Sequence, residues 1–350
     1  MQERIPVGIL GATGVVGQRL LGLLDAHPWF EPVWLAASER SRGLSYGEAV
    51  RWHLKTPLPA RFAALPVQDA RPEGCPARYV FSALDAAVAR EVEPRFAAAG
   101  HLVISNASAF RMRADVPLVI PEVNPDHLAL LRGQAEYRAG RGGIITNPNC
   151  STVGLVLALA PLARAFGIER VFVVTMQAVS GAGYPGVASL DILGNVIPYI
   201  AKEEEKVESE AAKILGRLDG AAAVAPAPFV VSAHCNRVAV EDGHTESVSV
   251  KLARAASREQ IQQAWSEFRG RPQELGLPTA PPQPVLVTGA PDRPQPRADV
   301  DSGAGMSAVV GRLRPCPLLD WKFTVLSHNT IRGAAGAALL NAELAHAEGY

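Results

Sequence analysis

The stretch "IPVGILGATGVVGQRLLGLLDAH", Ile5 to His27, decides the fold. Ile5 to Leu10 is a short apolar run, glycines follow at Gly11, Gly14 and Gly17, and the leucines after them are spaced for one helical face. It reads as strand, glycine turn, helix. Such glycines let backbone N–H groups approach a pyrophosphate, and the helix N-terminus behind them offers partial positive charge. A glycine turn without a ligand is the plainer alternative, and the motif gains weight only from standing between a strand and a helix.

Working outward, "PVWLAA" (Pro32 to Ala37) predicts a second strand and "RYVFSAL" (Arg78 to Leu84) another. "VAREVEPRFAAAG" predicts a helix ended by Gly100, and "HLVISNAS" a further strand. Alternating strand and helix implies an α/β fold with a doubly wound parallel sheet. The end of the second strand bears on which dinucleotide fits. An NAD site usually carries an acidic residue there, whereas "AASERSRG" offers Ser38, Arg40, Ser41 and Arg42, whose hydroxyls and guanidinium groups suit a 2'-phosphate. Glu39 pulls the other way, and a solvated charged loop is the bland reading; NADP is the expectation.

Around Ile145 the character changes. A helix over Cys150 to Phe166 leads into the strand-like "RVFVVTMQAVSG", and "TESVSVKLA" (Thr245 to Ala253) alternates as a half-buried strand does. "AKEEEKVESEAAKILG" predicts a helix with polar faces, the Pro- and Gly-dense run from Gly270 to Asp301 predicts irregular surface wrapping, and a small-residue helix closes the chain. The expected organisation is a Rossmann-type dinucleotide domain over 1–149, completed by the C-terminal helix 328–350, and an α+β catalytic and dimerisation domain over 150–327.

With 350 residues, two domains are the natural division, and 34 Lys+Arg against 34 Asp+Glu removes the electrostatic case for nucleic acid or an anionic membrane as partner. Small molecules and further copies of the chain remain. Cys75, Cys150, Cys235 and Cys316 lie far apart with no Cys-x-x-Cys pair, which argues against a zinc site and a disulfide framework alike and fits a reducing cytoplasm. The N-terminus has no charged segment followed by an apolar one as in a signal peptide, and no apolar run reaches the roughly 20 residues of a membrane helix.

"ITNPNCSTVGLVLALAPLA" places Cys150 at the start of the long apolar helix. Cysteine there is either a small buried hydrophobe or a reagent whose thiolate is favoured by the helix N-terminus, with a pKa below the free value of about 8.5. A nucleophile also requires a proton acceptor. "CNRVAVEDGHTESVSV" sets Arg237 and His244 on either side of a turn at Glu241 to Gly243, which can aim both into one cleft, and His titrates near neutral pH.

These residues carry a resemblance. "GATGVVGQ", "SNASAFRM", "PLVIPEVN", "NPNCST", "MQAVSGAGYPG", "EEEKVESE", "RVAVEDGHTES" and "SHNTIRGAAGAALLNAEL" occur in the order and at the approximate spacing of the aspartate-semialdehyde dehydrogenase family, in its archaeal and fungal branch. The likeness spans nearly the whole chain. It implies a thioester-forming nucleophile at Cys150, an acid-base partner at His244, and an orienting glutamine at Gln177. It also implies that Arg237 grips the substrate carboxylate with its planar fork. Arg111 and Lys206 match the family's phosphate-binding cations, Glu203 the acidic residue near the substrate amino group, and Asn106, counted with the substrate-binding residues, a position beside the cofactor and phosphate. Gly11, Thr13, Gly14, Val15, Val16 and Gly17 would line the cofactor turn; Ser38, Arg40 and Ser41 its far end; Ser82, Ser180, Gly181 and Asn329 the remainder of the NADP site.

The implied reaction is reductive dephosphorylation of L-aspartyl 4-phosphate to the 4-semialdehyde, which feeds lysine, threonine, methionine and isoleucine biosynthesis. Backbone N–H groups near Ser151 would hold the oxyanion, and the enzyme would be a homodimer or homotetramer using no metal. Each residue also has a plain reading: "KEEEKVESE" is what a solvated helix looks like, and Arg111 alone reads as a surface arginine. Alternatives are a malonyl-CoA reductase of the same architecture, a more distant N-acetylglutamyl-phosphate reductase, or a non-catalytic dinucleotide sensor. The segment "ASERSRGLSYGEAVRWHLKTPLPARF" matches the family only loosely, which leaves cofactor preference least fixed.

Overall fold

Ile5–Leu10 forms β1, and the helix Val15–Leu24 follows the glycine turn. In the computed structural model, which describes residues 4–220 and 223–350, five strands join β1: β2 (Phe30–Ala36), β3 (Val67–Gln68), β4 (Tyr79–Ser82), β5 (Leu102–Ser105) and β6 (Gly143–Thr146). All are parallel, in the order β3-β2-β1-β4-β5-β6. The winding reverses between β1 and β4, and open α/β sheets bind ligands at the carboxyl ends of strands at such a switch point.

Gly11 stands there with φ +74°, and a Cβ on it would lie 2.6 Å from the carbonyl oxygen of Ala83 at the end of β4. Only glycine permits that backbone and that approach. Alternate residues of the strands face opposite cores, as a sheet covered on both sides requires. Val7, Ile9, Phe81 and Ile104 pack with Leu20 and Leu21, whereas Leu10, Val80 and Val103 pack with Phe96 of the helix Ala86–Ala98. The terminal helix Gly336–Ala347 inserts Leu339, Leu340 and Leu344 into the first of these cores.

The second sheet is mixed. Its strands are β7 (Ile168–Gln177), β10 (Val230–Arg237), β11 (His244–Leu252), β12 (Val285–Val287), β13 (Ala308–Pro315) and β14 (Trp321–Ser327), ordered β10-β7-β11-β14-β13-β12. A small antiparallel pair, β8 (Arg217–Asp219) with β9 (Ala223–Ala225), lies apart. One face of the large sheet carries the helix Cys150–Phe166, in which every residue from Ser151 to Leu162 is buried. A helix apolar all round survives only inside a core. The helices Glu203–Ile214 and Arg258–Ser266 cover it, and Trp265 Nε1 donates to the Ala158 carbonyl at 2.8 Å.

Two expectations need correction. The run from Gly270 to Asp301 is not wholly irregular: it holds short helices at Arg271–Leu275 and Pro296–Asp299, and Val285–Val287 adds an edge strand parallel to β13. The apolar residues between its prolines provide that strand. Arg237 and His244 are also not joined by a simple turn, because β7 lies between their strands. The connection crosses the end of β7, where Val179 and Ser180 N–H groups donate to the carbonyls of Val240 and Glu241. Arg237 pairs in register with Gln177, and His244 with Ser327, so one end of the sheet gathers all four.

Candidate active site

Cys150 is the first residue of its helix, and Asn149 caps it: Asn149 Oδ1 accepts from the Ser151 N–H at 2.9 Å and the Thr152 N–H at 3.2 Å. The expected oxyanion donors near Ser151 are therefore already committed to the cap. The Cys150 N–H, which finds no partner among the described residues, is the donor left at this helix end.

Cys150 Sγ lies 3.2 Å from His244 Nε2, while His244 Nδ1 accepts from the Ala178 N–H at 3.1 Å. That second bond fixes the tautomer, since a nitrogen accepting a hydrogen bond carries no proton. Nε2–H therefore faces the sulfur. Burial, then the Arg237 charge, pushes the His244 pKa down to about 3. Burial, then Glu203, pushes the Cys150 thiol up to about 12, against the opposing pull of Arg111, Arg237 and Lys206. The expectation of a depressed thiol pKa is thus reversed: desolvation and Glu203 outweigh the three cations, although the residue itself is only half-buried. The resting pair is neutral thiol and neutral imidazole.

Arg237 Nη1 donates to the Ala178 carbonyl at 2.7 Å, and its other donors have no partner among the described residues. Gly181 sits against it: a Cβ there would lie 2.9 Å from Arg237 Nη1 and 3.1 Å from His244 Cε1. Gln177, buried beside them, donates to Thr175 Oγ1 at 3.3 Å. Asn329 joins two loops, accepting from the Gly243 N–H and donating to Ser180 Oγ, both at 2.8 Å.

The helix Glu203–Ile214 is not a solvated one. Glu203, Glu210 and Lys213 are buried along one face. Glu203 accepts from Asn149 Nδ2 at 2.7 Å and from Lys206 at 3.0 Å. Burial alone would raise its carboxyl, yet Lys206 and Asn149 hold it below the usual range. Arg111 is likewise no surface arginine: at 7% exposure it donates to Glu210 Oε1 at 3.0 Å and to the Asn106 carbonyl at 2.7 Å. Asn106 in turn donates to the Ser82 carbonyl at 3.1 Å and accepts from Asn147 at 2.9 Å.

On the dinucleotide side, no side chain caps the helix after Gly14 and no acidic residue stands in its first turn, so its N–H end is available to an anion. Thr13, Val15 and Val16 are half-buried around it, and Gly14 is exposed. A Cβ on Gly17 would overlap the Gly11 carbonyl, so the turn closes only with glycine. Ser38 and Arg40 are exposed and Ser41 half-buried at the end of β2, where Arg42 pairs with Asp69. Arg40 has no partner among the described residues. Among the described residues, the hydroxyl of buried Ser82, at the end of β4, has no hydrogen-bond partner. These groups fit a dinucleotide with a charged ribose.

Several site residues escaped the sequence reading. Asn149 could have been found as the polar residue before a helix, and Glu210 by its seven-residue spacing from Glu203. Glu246, two residues beyond His244 on the same strand face, is fully buried with both carboxyl oxygens unpartnered among the described residues, and burial raises its pKa well above normal. Gly333 carries no sequence signal. It lies in a π-helical turn, Ile331–Ala335, where a Cβ would come 2.6 Å from the Cβ of Cys150. The neighbouring Arg332 is locked by a buried bidentate pair with Glu122 at 2.8 and 2.6 Å.

Residues 6–131 match the family model "Semialdehyde dehydrogenase, NAD binding domain", and 159–332 match "Semialdehyde dehydrogenase, dimerisation domain". The aspartate-semialdehyde dehydrogenase of Methanothermobacter thermautotrophicus is 51% identical over 343 residues, 97% of this chain and 98% of its own. That of Cryptococcus neoformans is 47% identical over 359 residues, covering 99% and 98%. The solved structure of aspartate semialdehyde dehydrogenase with NADP from Candida albicans superposes with a TM-score of 0.92 at 46% identity, covering 99% of each chain. That of aspartate semialdehyde dehydrogenase II complexed with ASA from Vibrio cholerae gives 0.78 at 28%, covering 100% of each. The chain therefore belongs to the aspartate-semialdehyde dehydrogenase family.

Proposed function

We propose that this chain catalyses the reversible, NADPH-dependent reductive dephosphorylation of L-aspartyl 4-phosphate through a thioester on Cys150. The observation that carries the reading is the 3.2 Å contact of Cys150 Sγ with His244 Nε2 beside a largely unpaired Arg237. Arg237 grips the α-carboxylate, and Glu203 faces the amino group. Arg111 and Lys206 take the phosphate. Gln177 orients the acyl group over the thiol. Sγ bonds to the acyl carbon as the carbon–oxygen bond to phosphate breaks, and the departing phosphate carries off the thiol proton. The Cys150 N–H and His244 Nε2–H face the carbonyl oxygen as it gains charge. NADPH, when bound, supplies the hydride that takes the thioester to the aldehyde level. As the carbon–sulfur bond breaks, the Cys150 thiolate leaves against the His244 Nε2–H as a hydrogen-bond donor, and a proton from solvent restores the thiol.

NADP as cofactor draws support from the uncapped helix end and from Arg40, and from the Candida albicans structure, which holds NADP. Titration with both dinucleotides tests it: Arg40→Ala weakens NADPH but not NADH, and equal affinity of the unaltered chain for both would overturn the preference. We place the dinucleotide domain at 1–149 with 328–350, since the terminal helix shares the core of the first sheet, and the catalytic and dimerisation domain at 150–327. A homodimer or homotetramer fits the bare face of the second sheet, where Phe172 and Val230 are exposed. A cytoplasmic location fits four free thiols, and among the described residues no helix is long and apolar enough to cross a membrane.

A single assay separates the readings: phosphate-dependent oxidation of aspartate semialdehyde, with NADP and with NAD, against reduction of malonyl-CoA. Activity on malonyl-CoA without activity on the semialdehyde would replace the proposed substrate, and activity on neither would favour a sensor.

A further inference from the structure

Glu203, Lys206, Glu210 and Lys213 are spaced three and four residues apart, which places them along one stripe of their helix. That stripe faces inward, and its two carboxylates converge on Asn149, the residue before the nucleophile. Glu203 holds the Asn149 side chain, with Nδ2 donating at 2.7 Å. Glu210 holds its backbone, with the Asn149 N–H donating to Oε2 at 2.6 Å. The other oxygen of Glu210 accepts from Arg111 Nη1 at 3.0 Å. Arg111 is itself set by its surroundings, because Lys213 Nζ donates to the carbonyls of Arg111, Arg113 and Val116 at 2.6, 2.7 and 2.9 Å. Its Nε nevertheless keeps no partner among the described residues, which leaves a buried donor for a ligand.

We infer that Glu210 is a positioning residue, one carboxylate that sets both the phosphate cation Arg111 and the turn presenting Cys150. This rests on the reading of Arg111 as a phosphate-binding group. Phosphate competes with Glu210 for the guanidinium, so Glu210 weakens phosphate binding while holding the thiol in line. A carboxylate has lone pairs for both tasks, and neither can be served from water at 2% exposure.

The test uses Glu210→Gln, Glu210→Ala and Arg111→Ala in the full-length protein, each checked for folding by circular dichroism and melting temperature. Three quantities are read: KM for phosphate, kcat, and the rate of iodoacetamide alkylation at the Cys150 peptide without phosphate. Glutamine keeps an acceptor for the Asn149 N–H but no charge for Arg111, so Glu210→Gln lowers the phosphate KM and reduces kcat less than alanine does. Glu210→Ala loses the bond to the turn. Its kcat falls roughly 10- to 100-fold, the scale of one hydrogen bond to a charged group, and Cys150 alkylates faster as the turn loosens. Folded variants with unchanged phosphate KM and unchanged alkylation overturn the inference. If Arg111→Ala leaves the phosphate KM unaltered, the phosphate reading fails instead, and the alkylation rate of Glu210→Ala still decides the tie to the nucleophile.

Discussion

The ring of His244 presents its protonated nitrogen to Cys150: Nδ1 accepts the Ala178 N–H at 3.1 Å, and Nε2 stands 3.2 Å from Sγ. A second proton on the ring would point at that N–H, and burial opposes the charge as well. The pair is therefore not an ion pair at rest.

The first consequence concerns thiol reactivity. With the Cys150 pKa raised by burial and by Glu203, the thiolate fraction of the free enzyme at neutral pH is small. Alkylation at Cys150 should climb about tenfold per pH unit from pH 6 to 9, because the thiolate is the nucleophile. A rate that levels off below pH 7 would show a preformed thiolate and contradict the assignment.

Removing the donor isolates its part. His244→Ala should lower the chemical step by roughly 10²- to 10⁴-fold, the usual range for a positioned acid-base group. Turnover within a few-fold of normal would make His244 structural.

Gly181 is exposed, yet a methyl there would press on Arg237 Nη1 at 2.9 Å and on the His244 ring at 3.1 and 3.2 Å. Gly181→Ala should reduce kcat/KM by about 10- to 100-fold through misplacement of the site, with the melting temperature nearly unchanged. Loss of stability without loss of kcat/KM would refute that account.

Much of this was legible in the sequence, and the reasons differ by residue. The glycine turn and the strands around it follow from periodicity and from φ constraints that only glycine meets, so β1, β2, β4 and β5 and their parallel winding were readable, whereas β3 and β6 were not, β3 because two residues are too few to show a period. Cys150, His244 and Arg237 were readable because their chemistry is uncommon at such positions. The use of Asn149, Glu210 and Gly333 was not, because each acts through a contact between segments far apart in the chain: Glu210 meets Asn149 and Arg111 across 61 and 99 residues. Composition also misled. "KEEEKVESE" reads as a solvated face, and only packing shows that its carboxylates turn inward.

Glu93 supplies a test of stability away from the chemistry. It is buried on the helix Ala86–Ala98, accepts from Ser105 Oγ at 2.6 Å, and burial raises its pKa from 4.5 to about 7. Its folded value lies above its unfolded one, so between these values the native state keeps a proton that the unfolded chain has released, and stability falls as pH rises. The loss is on the order of 3 kcal/mol. Glu93→Gln retains the acceptor and should flatten the decline of melting temperature between pH 5 and 8. An equal decline in both proteins would place the dependence elsewhere.

The central claim, a covalent acyl intermediate on Cys150, is tested most directly by rapid mixing with aspartate semialdehyde and NADP in the absence of phosphate. The account predicts a burst of about one NADPH per active site as the thioester accumulates, followed by turnover once phosphate is added. Cys150→Ala should show no burst while still binding NADPH. A burst that persists in Cys150→Ala would contradict the account.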